Sequence, residues 1–75
     1  MKAFDIDKMR VRIKALRNEK GIGQNKLADD IQVSNASVSY WETGKQIPSA
    51  EVLFKLAVYF DVSADYILGI IDEWQ

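Results

Sequence analysis

The run Asn35-Ala36-Ser37-Val38-Ser39-Tyr40 gathers small, uncharged hydrogen-bonding groups around one apolar residue. Groups of this kind suit the reading of another molecule's edges, or else Asn35, Ser37 and Ser39 are ordinary solvated helix surface. An asparagine amide offers a donor beside an acceptor, the pair that matches N6 and N7 of adenine, and an alanine methyl fits against the thymine methyl. Ser39 and Tyr40 are less selective donors. Chemistry of other kinds is scarce. The 75 residues contain no His and no Cys, which removes the commonest general base, the commonest metal ligand, any thiolate metal site and any disulfide. Catalysis would fall to paired carboxylates, and Asp29-Asp30 are adjacent on a helix rather than convergent. No catalytic residue, metal or cofactor is expected, and no ligand-sensing domain for a small molecule fits in this length.

These polar residues must be held outward by something, and the apolar spacing says what. Leu27, Ala28 and Ile31 line one face of a short helix, about Gln24 to Ile31, and Val33 interrupts at a turn. Ser34 stands where a second helix needs its N-cap. Val38 and Trp41 then line that helix, about Asn35 to Glu42, so Asn35 and Ala36 lie at its exposed N-terminal end. Ala28 is small where the two helices must cross closely. Two short helices set steeply around such a turn form the unit that lays its second helix in the DNA major groove. Trp41 is read as core. The ring of Tyr40 either faces the groove or lies against the link near Ile47.

Three more helices frame the pair. Ile6, Met9, Ile13 and Leu16 recur at helical spacing and predict a first helix from about Asp7 to Lys20. Gly21 ends it, with Ile22 as the apolar partner of a C-terminal cap. Arg17 falls at the margin of the stripe. Thr43-Gly44 closes the third helix, Gly44 supplying a positive φ, and Pro48 keeps Ile47 extended. Ser49 opens a fourth helix whose core stripe is Leu53, Leu56, Ala57 and Phe60. Ser63 caps a fifth, Ala64 to Leu68, ended by Gly69. Residues 70–75 form a short apolar tail. The expected fold is all-α, one compact domain over residues 1–75 with the helix-turn-helix at about 24–42.

Hydrophobic content of 48% and charged content of 28% are those of an ordinary soluble globule. No apolar run approaches the roughly 20 residues of a membrane span, no secretory signal is expected, and the cysteine-free chain suits a reducing cytoplasm. The net charge of −1 is unusual for a molecule that meets DNA, but it is unevenly spread. Residues 1–26 carry eight Lys/Arg and three acids, and residues 27–75 carry two Lys/Arg and eight acids. Either the first helix presents a basic face to phosphates or its charges are simply a solvated face.

From Arg12 to Gly69 the chain resembles the lambdoid-phage repressor and Cro-like helix-turn-helix family, also called the XRE family. The resemblance rests on Arg17, Gln24, Leu27-Ala28, Val33-Ser34, Val38, Trp41-Glu42, Gly44, Pro48-Ser49, Leu56-Ala57 and Val62-Ser63, spaced as in that family. It implies a five-helix lambda-repressor-like DNA-binding domain, usually dimeric, that regulates transcription from paired operator half-sites, more often as a repressor. It implies that Gln24 binds a phosphate at the start of the second helix, aided by free N–H groups there. Asn35, Ala36, Ser39 and Tyr40 occupy the base-reading positions, and Ser34, Ser37, Thr43 and Lys45 match positions that touch the DNA backbone. It also implies a structural ion pair between Arg17 and Glu42. Two positions depart from the family: Gln32 and Asp61 stand where glycine is usual.

Phe54 and Val58 point away from the Leu56 stripe. With Ile70, Ile71 and Trp74 they supply enough apolar material for a second, exposed patch. That patch is expected to make a two-fold homodimer on a pseudo-palindromic double-stranded operator, unless the tail folds back onto its own core. A different reading of the same fold is a protein-interaction module of the antitoxin or anti-repressor type, whose acidic second half would take a basic partner.

Overall fold

Among the described residues, four of the five helices begin at a residue whose side chain accepts from the backbone of the first turn. Asp5 accepts from the N–H groups of Asp7 and Lys8, Ser34 from Ser37, Ser49 from Val52 and Ser63 from Tyr66. Each such cap satisfies a donor that the helix itself cannot. The computed structural model describes residues 2–73, and in it these caps open α1 (Ile6–Glu19), α3 (Asn35–Thr43), α4 (Ala50–Phe60) and α5 (Ala64–Leu68). Only α2 (Gln24–Ile31) starts without one, at Gly23. The described residues contain no strand. Trp74 lies outside them.

The helix boundaries follow the sequence closely, each shift a single residue, and α1 ends at Glu19 rather than Lys20. α1 starts one residue earlier than expected because Asp5 is the cap. α3 runs one residue further, to Thr43, whose hydroxyl donates back to the carbonyls of Ser39 and Tyr40 and keeps that residue in the last turn. The helices end in left-handed residues: Gly21, Gly44 and Gly69, but also Gln32 at φ 62° and Asp61 at φ 55°. Gln32 and Asp61 therefore take a backbone that costs an L-residue about 1–2 kcal/mol, less for Asp, whose short side chain bonds locally.

One core joins all five helices. Met9, Ile13, Leu27, Ala28, Val38, Leu56 and Ile67 have no exposed surface, and Leu16, Ile31, Trp41 and Val62 are nearly as buried. A fully buried side chain of the Leu, Ile, Val or Met type contributes about 1.5–3 kcal/mol. Of the expected α4 stripe only Leu56 is fully inside; Leu53, Ala57 and Phe60 pack half-buried at its edge. α2 packs against α3, α1 reaches α3 and α5, and α4 closes over α5 and α2. The α2–α3 pair is thus held from behind by α1 and α4.

Residues 70–72 do not lie free. Arg12 of α1 donates to the carbonyls of Tyr66 (2.5 Å) and Ile71 (2.7 Å) and to the Asp72 carboxylate (2.8 Å), with its guanidinium 4.2 Å from the Tyr66 ring centroid. Lys8 reaches Asp72 at 3.5 Å, and Lys2 donates to the Ile70 carbonyl at 2.8 Å. The bond from Arg12, then the charge of Lys8, hold the Asp72 carboxyl below the usual carboxylate range. Residues 70–72 are strapped along α1, yet Ile70 and Ile71 keep their side chains exposed.

Candidate nucleic-acid interface

At the buried end of α3 sits a charged group that the core would otherwise reject. Glu42 is 3% exposed at its side chain, and Arg17 of α1 is 11% exposed. Arg17 Nε donates to Glu42 Oε2 at 2.7 Å and Arg17 Nη2 to Oε1 at 2.9 Å; Nη1 donates to the Ile22 carbonyl at 2.9 Å. This side-on geometry is the strong form of a carboxylate–guanidinium pair. Burial pushes the Glu42 carboxyl up, but the bonds from Arg17 and Gln24 and the charges of Arg17 and Lys14 outweigh it, so its pKa lies below the ordinary value. The bond to Glu42 raises that of Arg17 in turn. The expected ion pair is present and joins α1 to α3.

Gln24, the first residue of α2, donates from Nε2 to Glu42 Oε1 at 3.1 Å. One amide proton is therefore spent inside the protein, while the second proton and the carbonyl stay available at the helix start. The resemblance alone assigned Gln24 to a phosphate; the geometry adds that it also positions α2 on α3.

The outer face of α3 carries the residues expected there. Asn35 and Ala36 are exposed, and Ser39 and Tyr40 are half-exposed. Among the described residues the Asn35 side chain makes no hydrogen bond within the protein, so both halves of its amide are free. Ser34 and Ser37 share a 2.8 Å contact between hydroxyls, and Ser34 also caps the helix. Thr43 spends its hydroxyl proton on the helix itself, which leaves it an acceptor rather than the donor a phosphate would need. The Tyr40 ring meets Lys45, whose Nζ stands 4.7 Å from the ring centroid. Ile47, the other partner considered for it, is exposed. Trp41 is core, at 3% exposure.

Among the described residues, Phe54 and Val58 line different grooves from Ile70. Phe54 (68% exposed) and Val58 (66%) form a ridge on α4. One groove beside it is lined by Ile31, Gln32 and Tyr59, and the other by Ala50, Leu53, Ala57, Val62 and Ala64. Ile70 instead lines a separate groove with Ala3, Phe4 and Leu68. The strap explains the separation, since Arg12 and Lys2 draw residues 70–72 toward α1.

Two residues beside α3 were not singled out by sequence reasoning. Arg10 crosses the Gly44 turn: a Cβ on Gly44 would lie 3.4 Å from Arg10 Cδ. Lys14, one turn on, is close enough for its charge to act on Glu42. The signal was available, because Arg10, Lys14 and Arg17 are spaced four and three apart and so share one edge of α1.

The geometry agrees with what is found among known proteins. The Helix-turn-helix family pattern matches residues 13–67. The chain is 35% identical over 58 residues to the HTH-type transcriptional activator BcrR of Enterococcus faecalis, covering 77% of this chain and 28% of BcrR. It is 33% identical over 58 residues to the HTH-type transcriptional regulator ImmR of Bacillus subtilis (strain 168), covering 77% and 46%. The chain thus spans less than half the length of these two relatives. Among solved structures, the P22 c2 repressor protein in complex with a synthetic operator superposes with a TM-score of 0.77 at 37% identity, over 80% of this chain and 91% of that one. The N-terminal DNA binding domain of SinR from Bacillus subtilis gives 0.76 at 33% identity, over 83% and 91%. Five helices in this order, a braced α3 and matches of this extent agree: the chain belongs to the XRE-type helix-turn-helix family of DNA-binding transcriptional regulators.

Proposed function

We propose that residues 1–75 act as one sequence-specific DNA-binding domain in the cytoplasm, which lays α3 in the major groove of an operator and represses from it as a homodimer. The observation that carries this reading is the state of Asn35 and Ala36. Both are exposed at the start of a helix whose far end is fixed by Arg17, Glu42 and Gln24. Asn35 is assigned to an adenine edge and Ala36 to a thymine methyl; Ser39 and Tyr40 complete the reading face. Gln24, Ser34, Ser37 and Lys45 are assigned to the phosphates and sugars that set register, and Thr43 joins them only by turning its hydroxyl from the Ser39 carbonyl to a phosphate. The solved P22 c2 complex, a repressor on its operator, supports repression; BcrR, an activator, is the counter-example within the same family.

The dimer is assigned to the Phe54–Val58 ridge of α4, with Ile70 and Ile71 as a second apolar region, to which Trp74 is also assigned. Two-fold symmetry would set the recognition helices about one helical turn apart, ~34 Å, on a split palindrome. Selection of bound duplexes from a random pool tests the whole reading. A split palindrome with A·T pairs at the positions facing Asn35 and Ala36 is expected; enrichment of no sequence overturns it. Sedimentation across a concentration range tests the dimer, which a persistent monomer would exclude.

The exposed ridge also favours a second reading, a protein-interaction module. It is distinguished by variants: Asn35→Ala and Tyr40→Ala would leave its function intact, whereas Phe54→Asp would abolish it.

A further inference from the structure

α1 carries two rows of cations, one on either edge of its buried stripe, and the structure gives them different work. Lys8 and Arg12 are four apart on one edge; both are committed to Asp72, and Arg12 also to the carbonyls of Tyr66 in α5 and Ile71. Arg10, Lys14 and Arg17 lie on the other edge, beside α3. Of these only Arg17 is buried and fully paired. Arg10 holds Asp7 at 2.8 Å, an exposed contact within one helix turn, with side-chain exposures of 37% and 74%. Exposed pairs of this type are weak and readily exchanged for another anion. Lys14 is exposed and forms no ion pair among the described residues.

We propose that Arg10 and Lys14 bind DNA phosphates at the C-terminal end of the recognition helix, forming with Lys45 a basic border that closes one side of the interface. This assignment rests on the DNA-binding reading above. Its geometry comes from Gly44. The Arg10 side chain lies against that turn, immediately after Thr43 and before Lys45, and Lys14, one helical turn after Arg10 on the same edge of α1, is near enough for its charge to act on Glu42. α3 has nine residues, about 13–14 Å at 1.5 Å each, which is close to the ~12 Å width of the major groove. With the N-terminal residues of α3 at the base edges, its C-terminal end comes out near the phosphate wall. The helix itself brings no cation there: within Asn35–Thr43 the one charged residue is Glu42, and it is buried. Positive charge at this rim must come from the neighbours, and α1 supplies it. The border also accounts for a DNA binder of net charge −1, since only a few of its cations need face the duplex.

The test is the salt dependence of binding to a fluorescently labelled duplex of mixed sequence, read by anisotropy between about 50 and 200 mM KCl. Arg10→Gln and Lys14→Gln are compared with Lys8→Gln, which removes the same charge from the opposite edge of α1. Each of the first two is expected to lower the log–log slope by about 1. Each should also weaken binding to all sequences alike, with an unchanged circular-dichroism spectrum. Lys8→Gln is expected to keep the parent slope. A parent slope in both Arg10→Gln and Lys14→Gln overturns the border while leaving DNA binding intact, and an equal loss in Lys8→Gln overturns it in favour of net charge alone. A wild-type protein with no salt-dependent binding to the duplex overturns the DNA-binding reading and the border together.

Discussion

Arg17 meets Glu42 side-on, and the two bonds of 2.7 and 2.9 Å tie α1 to the last turn of the helix that carries the candidate reading face. Removing one partner of so buried a pair leaves the other charged in the core, at a cost of about 3–5 kcal/mol. That is a large part of the roughly 5–15 kcal/mol by which domains are stable. Arg17→Met is therefore expected to lower the urea midpoint sharply while DNA contacts survive in the fraction that folds. The double variant Arg17→Met/Glu42→Leu should recover much of the loss, because no charge is left behind. Parent-like melting of Arg17→Met with no DNA binding would show that the pair serves the DNA rather than the fold.

The same pair gives the stability a pH dependence with a definite sign. The Glu42 carboxyl titrates below its ordinary value of 4.5 when folded, so the folded state holds fewer protons than the unfolded one at mildly acid pH. Its contribution is complete above the unfolded value and is lost as pH falls through the depressed folded value. Asp72, beside Arg12 and Lys8, and Asp30, beside Tyr59 and Lys26, are depressed in the same direction. Urea titrations from about pH 7 to about pH 3 should show stability falling below about pH 4.5, and falling less in Arg17→Met/Glu42→Leu. An equal fall in that double variant would assign the acid sensitivity to other carboxylates.

The helices were legible because their ends are written in residues with local causes. Ser34, Ser49 and Ser63 cap, Gly44 and Gly69 stop, and Pro48 blocks continuation; each acts within four residues of itself. The Arg17–Glu42 pair was reached through the family resemblance, and the apolar borders of both residues agree with it. The strap was not legible. Arg12 is held by the carbonyls of Tyr66 and Ile71, and a main-chain acceptor leaves no mark on residue identity. The tail therefore read as one apolar patch with Phe54 and Val58. The spacing of Arg10, Lys14 and Arg17 was visible, but which helix lay beside that edge depended on the packing of α1 on α3.

Gln32 and Gly44 make a paired test of the backbone. Both sit in the left-handed region, at φ 62° and 79°. Gln32→Gly removes a strain of about 1–2 kcal/mol but adds about 0.5–1 kcal/mol of chain entropy to the unfolded state. A small net stabilisation is expected. Gly44→Ala does the reverse and also sets a methyl 3.4 Å from Arg10 Cδ, so destabilisation of about 1 kcal/mol or more is expected. Thermal melts of the two variants check the signs. A stabilising Gly44→Ala would mean that this turn is not left-handed in solution.

The proposed base reading by Asn35 and Ala36 would make separable demands on protein and DNA. If Asn35 pairs with adenine through both halves of its amide, Asn35→Ala should cost about 1–3 kcal/mol at one base position and relax the preference there. The salt slope should not move, because no phosphate contact is lost. If Ala36 rests on a thymine methyl, replacing that thymine by uracil in the selected duplex should weaken the parent protein. The same replacement should matter less in Ala36→Gly, which has no methyl to lose contact. Competition binding with the four duplex and protein combinations measures the coupling directly. A uracil effect of equal size in parent and Ala36→Gly would place another side chain against that methyl, and the half-exposed Tyr40 ring would be the next to substitute.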